Sequence, residues 1–447
     1  MPDMHGSDIT KAGDYKISKM VLNSGINENY VDIRGLYTNL EIFEDMFSPY
    51  MTAKLYMVDS VNLTEQLPIR GQETLDLEFV TDFQDMEPVK KTFRVYKVDS
   101  QIIDDNGRGQ QYVLHLVSEG GFFNYTERCG YSVKGKVSEM VRAVFKKHFP
   151  EYIWQKTLEV EDTSDNFSFV LPKAYTPFKS LTWLSRKAIL GTESDYSPFF
   201  FYETFDGYKF KSLSKTIDDG EKSKSKYYFV KSNVNRDFEG NEGSGIDVTG
   251  DSKLPSMYHR IQSLKEDSRF DMIENIGSGI MGSQMTVYDL IRKEKREYTF
   301  KEEDIFEKIK KLGSNPHYMK NGSRESNEFF EKSNSAYFFF PYTPYTVYTE
   351  QNQIVDNSRF EEYFLNRKYM VNTMMTQKVV VEIYGDSSKR VGQLIDLFVP
   401  KIAADGHLLE EPQDKNLSGE YMITSICHRF GKKYGCRMEL SRNCRGI

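Results

Sequence analysis

One strand plan is stated twice in this chain, once near each end, and that repeat constrains the possible fold more than any other feature. The first statement runs MTAKLYMVD (Met51 to Asp59), GQETLDLEFV (Gly71 to Val80), FRVYKV (Phe93 to Val98), a loop carrying Gly107 and Gly109, and QYVLHLV (Gln111 to Val117). The second runs KVVVEIYGD (Lys378 to Asp386), GQLIDLFVP (Gly392 to Pro400), EYMITSICHRF (Glu420 to Phe430), a GKKYG turn and CRMEL (Cys436 to Leu440). In each, a glycine precedes a Leu-Asp-Leu or Ile-Asp-Leu strand, and a later pair of strands reads as a hairpin across a glycine-containing turn. The match is one of pattern, not identity, and it points to assembly rather than catalysis.

A length of 447 residues exceeds what one hydrophobic core spans and implies about three domains. Aromatic residues make up 14% of the chain and cluster with β-branched residues in short runs, which suits half-buried strands. The class expected is β-rich α+β. Net charge is −7 with both signs interspersed, so the basic footprint that neutralises phosphates is missing and sequence-specific nucleic-acid binding is not expected. Cys129, Cys427, Cys436 and Cys444 form no CxxC pair, which favours inert thiols in a reducing compartment. The first sixteen residues are polar, and no apolar run approaches the roughly 20 residues of a membrane span. These features predict a chain made and kept in the cytosol unless something else exports it.

Between the two strand sets the hydrophobic period changes. Val137, Met140, Val141, Val144, Phe145 and Phe149 fall on one helical face that Pro150 ends. Thr176 caps a second helix with Pro177 at its first position, burying Phe178, Leu181, Leu184 and Ala188 before Gly191. FFFYETFDGYKF (Phe199 to Phe210) reads as a hairpin across Asp206-Gly207. Ile305, Phe306, Ile309 and Leu312 form a short helix closed by Gly313, and Ser358 with Glu361 makes a capping box for another. LEIFEDMFSPY (Leu40 to Tyr50) reads as a turn feeding the first strand.

Chemical motifs are weak. GSGIMG (Gly277, Gly279, Gly282) has the spacing of a pyrophosphate cradle, but no apolar strand precedes it and a strand-like run follows, so it reads as a loop. No two of the seven histidines share helical metal-ligand spacing, although His115 and His428 hold related places in the two plans, read as a shared structural position. Adjacent carboxylates such as Glu410 with Glu411 and Asp104 with Asp105 do not establish an acid pair across a cleft. No GxSxG or reactive-cysteine pattern is present. The run AYFFFPYTPYTVY (Ala336 to Tyr348) is read as buried packing or a subunit contact in preference to a carbohydrate surface. No catalytic, cofactor or metal residue is assigned.

Three stretches resemble one known family. LEIFEDMFSPYMTAKLYMVDSVNLTEQLPIRGQETLDLEF, then PFKSLTWLSRKAI with FFFYETFDGYKF, then LSGEYMITSICHRFGKKYGCRMELSRN look like the baseplate hub proteins of contractile-tailed bacteriophages, similar to the T-even tail hub and the front part of type VI secretion spike proteins. The resemblance implies two tail-tube-like β-barrels with an intervening α/β unit and an inserted mixed domain. It implies a homotrimer at the end of the tail tube, in a virion baseplate assembled in the host cytoplasm, with tail tube protein, central spike protein and other baseplate proteins as partners. The divisions expected are 1–118 for the first barrel, 119–195 for the α/β unit, 196–234 plus 376–447 for the second barrel and 235–375 for the insertion. Met51 to Val117 and Lys378 to Leu440 should then superpose, with strands near Phe199 to Phe210 completing the second barrel. A tail-associated cell-wall hydrolase and a receptor-binding module are the competing readings.

Overall fold

A computed structural model of the chain describes residues 12–26, 28–63, 67, 69–81, 87–103, 109–154, 158–190, 196–229, 259–268, 270–290, 292–317, 335–342, 347–348, 354–355, 360–401 and 413–446. The fold is β-rich α+β and contains a closed six-stranded barrel together with further sheets. Among the described residues no helix is long and apolar enough to cross a membrane. The loop with Gly107, His5, His407, Ser358 and the pairs Glu410–Glu411 and Asp104–Asp105 lie outside the described residues.

Strand after strand alternates buried and solvent-facing side chains, as a sheet with one wet face requires. The N-terminal sheet holds β1 (Tyr15–Asn23), β2 (Tyr37–Asp45), β3 (Thr52–Asp59), β4 (Thr74–Thr81), β5 (Val89–Ile103) and β6 (Gln110–Ser118). The C-terminal barrel holds β7 (Ser225–Phe229), β8 (Arg260–Ser268), β9 (Gln377–Tyr384), β10 (Leu394–Phe398), β11 (Gly419–Phe430) and β12 (Tyr434–Arg442). β3 turns Ala53, Leu55 and Met57 inward, and β9 does the same with Val379, Val381 and Ile383.

The repeat read from sequence is a repeat of topology and of register. Spatial order is β4-β5-β6-β3 in the first copy and β10-β11-β12-β9 in the second, antiparallel throughout. Leu75 pairs with Phe93 as Ile395 pairs with Tyr421. Val95 pairs with Leu116 as Ile423 pairs with Leu440, and in both ladders the next residue, Tyr96 or Thr424, is skipped as a bulge. Ala53 against Leu116 matches Val379 against Leu440. The glycines that open the plan share a left-handed backbone, φ 89° at Gly71 and 88° at Gly392. Behind each, Val95 N–H donates to Glu73 O and Ile423 N–H to Gln393 O, both at 3.0 Å.

The strands that close the second barrel are not those expected. Phe199–Thr204 and Gly207–Ser212 form the predicted hairpin, but it joins Leu158–Val160 in a separate three-stranded sheet. Phe199, Phe201, Tyr208 and Phe210 pack in the core of the α/β unit, against Phe145 and Phe178 of the helices Val137–His148 and Pro177–Ser185. Thr176 caps the second helix, accepting from Lys179 N–H. The barrel is completed instead by β7, parallel to β10 and β8, and by β8 on β9. β8 lies within the stretch expected to be the insertion. The rest of that stretch includes a three-stranded sheet, Gly282–Asp289 between Glu294–Lys301 and Ala336–Tyr342, backed by the helix Phe360–Thr373. The short helix at Ile305 spans only Glu302–Phe306.

Candidate assembly site at the seam between the sheets

Leu40–Asp45, expected as a turn, belongs to β2, and β2 is the strand that joins the two halves of the molecule. Its inward residues are Leu40, Ile42 and Glu44, and a carboxylate at the third position hides the apolar alternation from a sequence reading. β11 carries the joint. Gly419 to Met422 pair with β10 of its own barrel, whereas Ser425 to Phe430 pair on that side with Asp45 to Leu40 of β2. The exchange falls at the bulged Thr424, whose carbonyl accepts from Met46 N–H at 2.9 Å. A bulge bends and twists its strand, so one strand serves two sheets.

Aromatic packing crosses the seam. The Phe430 ring stacks on Tyr434 at 4.4 Å and meets Phe79 of β4 edge-on at 4.7 Å and Tyr15 of β1 at 5.4 Å. Tyr15 Oη donates to Gly431 O at 2.6 Å, and Thr81 and Ser387 share a hydroxyl bond of 2.6 Å.

A third element plugs the seam from the α/β unit. The tip of the Phe199–Ser212 hairpin places Phe205 N–H on Glu44 Oε1 at 2.9 Å, while Val391 N–H reaches Oε2 at 3.3 Å. Arg390 lies over the Phe205 ring and pairs with Asp206 at 3.0 Å. Glu44 is fully buried, and desolvation lifts its carboxyl to about 7 even though Arg390 and the two amides favour the charged form. His428, edge-on to the Phe205 ring of the same tip, is pushed down to about 3 by burial and by Arg390 and gives or takes a 2.8 Å bond between Nδ1 and Tyr434 Oη. Lower on the hairpin, Glu203 accepts from Met51 N–H at 2.9 Å, from Lys91 Nζ at 2.7 Å and from the Ser118 hydroxyl. These bonds hold three elements in one arrangement, since any buried polar group left without its partner costs about 1–3 kcal/mol.

Two histidine-centred clusters have the outline of catalytic triads and the burial of packing. His317 bonds Glu302 through Nδ1 at 3.0 Å and Thr376 through Nε2 at 2.9 Å, but all three are buried and the Thr376 hydroxyl donates to Thr373 O. His148 sits between Glu127 and Tyr131, with Cys129 Sγ 3.7 Å from Nε2, and burial pushes the Cys129 thiol up, away from thiolate. All four cysteines are free and buried, and the described residues hold no cluster of three or more metal-ligating groups.

GSGIMG connects the helix Met272–Gly277 to the strand Gly282–Asp289, the reverse of a strand-to-helix phosphate loop. A Cβ on Gly279 would come within 2.6 Å of Ala336 Cβ, so close packing accounts for that glycine. His115 and His428 do not share a position. The matched ladders put Glu439 in the place that His115 holds, and His428 lies on the third strand of its copy whereas His115 lies on the fourth.

No protein-family model matches the chain. It is 21% identical over 402 residues to a probable baseplate hub protein of Vibrio phage KVP40, covering 88% of this chain and 86% of that protein. Among solved structures it is similar to the 43 kDa tail protein of prophage MuSo2 from Shewanella oneidensis, with TM-score 0.48, 10% identity and coverage of 96% and 100%. The tail protein from Neisseria meningitidis MC58 gives 0.47, 9% identity and 96% of both chains. A Francisella PdpA–VgrG complex gives 0.45 and 9% identity, over 98% of this chain and 54% of that one. The resemblance to phage baseplate hub proteins that the sequence displays thus has its counterpart in a curated relative of that name, aligned over most of both chains.

Proposed function

We propose that this chain is a structural, non-enzymatic hub of a phage tail baseplate. It acts as a homotrimer whose six quasi-equivalent β units fit a sixfold tail tube on one side and a threefold central spike on the other. The observation that carries this reading is the register-matched duplication of one four-stranded plan within a single chain. Three copies of a chain with two related units place six related surfaces around one axis, which a ring of unduplicated subunits achieves only with six chains. The seam supports the same role, because a symmetry adaptor transmits load only if its two units hold a fixed relation.

On this reading residues 1–118 and the C-terminal barrel are the two tube-like units, the α/β unit from 119 onward braces them, and the small sheet lies at the periphery. Tail tube protein, spike protein and other baseplate proteins are the partners, assembly occurs in the host cytoplasm, and the finished protein resides in the virion tail. The acidic balance of −7 suits a lumen that repels DNA phosphate during passage. Light scattering of the full chain, alone and with tube protein, tests the proposal. A trimer or a ring is expected; a stable monomer at micromolar concentration that forms no ring on adding tube protein removes it.

A further inference from the structure

The repeat extends one strand beyond its four-stranded core, and that fifth strand makes the joint between the units. β2 lies on β3 in the first unit as β8 lies on β9 in the second, both antiparallel. Leu40 pairs with Leu55 as Leu264 pairs with Val381, and Tyr37 pairs with Met57 as Ile261 pairs with Ile383. Between those pairs each strand skips one residue, Thr38 or Gln262, as a bulge. β2 and β8 are therefore equivalent strands, as β5 and β11 are. Within the chain, β11 of the second unit runs on past β10 and receives β2 of the first, setting Arg429 opposite Glu41 and Phe430 opposite Leu40.

The other two equivalents, β5 and β8, do not meet within the chain. The ladder of β5 with β4 ends at Arg94 and the bond from Val95 N–H to Glu73 O, while β5 continues along β6 to Ile103. β8 touches β7 at Arg260 and Ile261 and then leaves it. Among the described residues no strand lies along the far side of Lys97 and Val98, or of Ser263, Leu264 and Lys265. Val98 is 39% exposed, whereas Ile426, at the same ladder position in β11, is fully buried. Leu264 is half-buried where its equivalent Leu40 is sealed. These two edges lack the cover that the joint gives to their equivalents, and an uncovered edge is a template for another strand.

Resting on the trimer proposed above, we infer that β5 of one copy pairs with β8 of the next, antiparallel and in the register of the intrachain joint. Ile102 pairs with Gln111 as Arg429 pairs with Gly435, and Ile103 with Gln110 as Phe430 with Tyr434. Carried over, the joint sets Ile102 opposite Lys265 and Ile103 opposite Leu264 of the neighbouring copy. The occupant is a second copy because the chain already joins the equivalents of these two edges within itself, bulge for bulge. Each chain has one edge of each kind, so the contact is heterologous and copies add head to tail until the rotation closes. Three copies then hold six joints of one type, three within chains and three between them, as six quasi-equivalent units around one axis require. Backbone bonds along the added strand supply affinity, and burial of Val98 and Leu264 fixes the register.

The test is the full chain carrying Ile103→Cys and Leu264→Cys together, oxidised at low concentration, with each single variant as a control. Directly opposed residues on antiparallel strands have Cβ atoms about 4.5–5.5 Å apart, close enough for a disulfide after a small adjustment. Native thiols give little background, since all four cysteines are buried. The double variant is expected to give covalent species on non-reducing gels that stop at three chains, and the single variants none. Val98→Glu is the second probe, because the side chain is exposed in the single chain and covered in the joint. It should weaken self-association about tenfold or more by light scattering while leaving the melting temperature of the separated chain unchanged. A chain that scatters as a trimer but gives no crosslink, or keeps its affinity in Val98→Glu, overturns the inference and leaves the hub reading standing. Bands that continue past three overturn the ring, and a chain that stays monomeric with and without tube protein overturns both readings.

Discussion

The N-terminal sheet and the C-terminal barrel contain the same four strands in the same register, yet among the described residues only the second closes on itself. In the C-terminal unit the flanking strands β7 and β8 pair with each other and close the barrel, and β11 runs on past β10 to offer Ser425 to Phe430 to β2. In the N-terminal unit β1 and β2 occupy the corresponding flanks, but β1 ends on the short strand Tyr30–Asp32 and β2 gives its edge to β11. The repeated plan does not decide closure; the strands added to it do.

The joint is the place to break this comparison. Phe430 is fully buried and its ring touches residues from both units, so Phe430→Ala should cost about 3–5 kcal/mol in urea unfolding. Hydrogen exchange should show β2 and β11 losing protection together. Loss confined to β11 would mean that the two sheets are neighbours rather than one unit.

A matched pair of substitutions sharpens the comparison within the repeat. Gly71 and Gly392 have the same backbone, so alanine at either pays about 1–2 kcal/mol of left-handed strain. Their surroundings differ. A Cβ at Gly71 meets nothing nearer than Val95 O at 3.9 Å, whereas at Gly392 it comes to 2.8 Å from Tyr202 Oη and 3.0 Å from Thr216 Cγ2. Gly392→Ala should therefore cost about 1–3 kcal/mol more than Gly71→Ala by denaturant melts. Equal losses would show that Tyr202 yields freely.

How much of this was legible follows from which forces are local. Alternation in β3, β4, β9 and β10, the two glycines and the helix face of Val137 to Phe149 are set by near neighbours, and their pattern shows in the chain. Closure is not local. The aromatic hairpin at Phe199 looked like the better barrel strand, but its rings are drawn to Phe145 and Phe178, while β8, RIQSLKEDS, is too polar to announce itself. β2 escaped because Glu44 sits where an apolar residue belongs, and Arg390 with two amide partners from distant segments makes that tolerable. The aromatic run of the small sheet was legible only in half, because consecutive rings read as packing until the pleat assigns each to a face. Phe338 and Phe340 pack on Phe364 and Phe360, whereas Tyr337 and Phe339 face solvent, and residues 343–346 lie outside the described residues.

The seam also joins two titrating groups of opposite sign, one from each unit. Glu44, raised to about 7 from 4.5, contributes stability that is full below pH 4.5 and is lost as pH rises through 7. His428, lowered to about 3 from 6.5, contributes stability that is full above pH 6.5 and is lost as pH falls through 3. Between about pH 4.5 and 6.5 the two slopes oppose each other, each at most about 1.4 kcal/mol per pH unit. Glu44→Gln should unmask a fall toward acid in that window, and His428→Asn a fall toward neutrality. Parallel pH profiles for wild type and both variants would mean that neither group is held as tightly from water as the packing implies.

The smallest effect is expected at the open edge itself. β1 is anchored by its ladder to β4 and by Lys19, whose Nζ lies 2.9 Å from Asp76. Burial would raise the Asp76 carboxyl, but bonds from Lys19, Thr92 and Asn23 outweigh it and hold the group below its ordinary value. The lysine side chain is 49% exposed, so the pair is screened by solvent, and Lys19→Met should cost only about 0.2–1 kcal/mol. That loss should shrink further at 1 M salt, where the Debye length falls to about 3 Å. β7 in the closed barrel has backbone partners on both edges and no such dependence is expected of it. If exchange protection in β1 fell sharply in Lys19→Met at low salt while β7 stayed fixed, charge rather than the ladder would be holding the open sheet's edge.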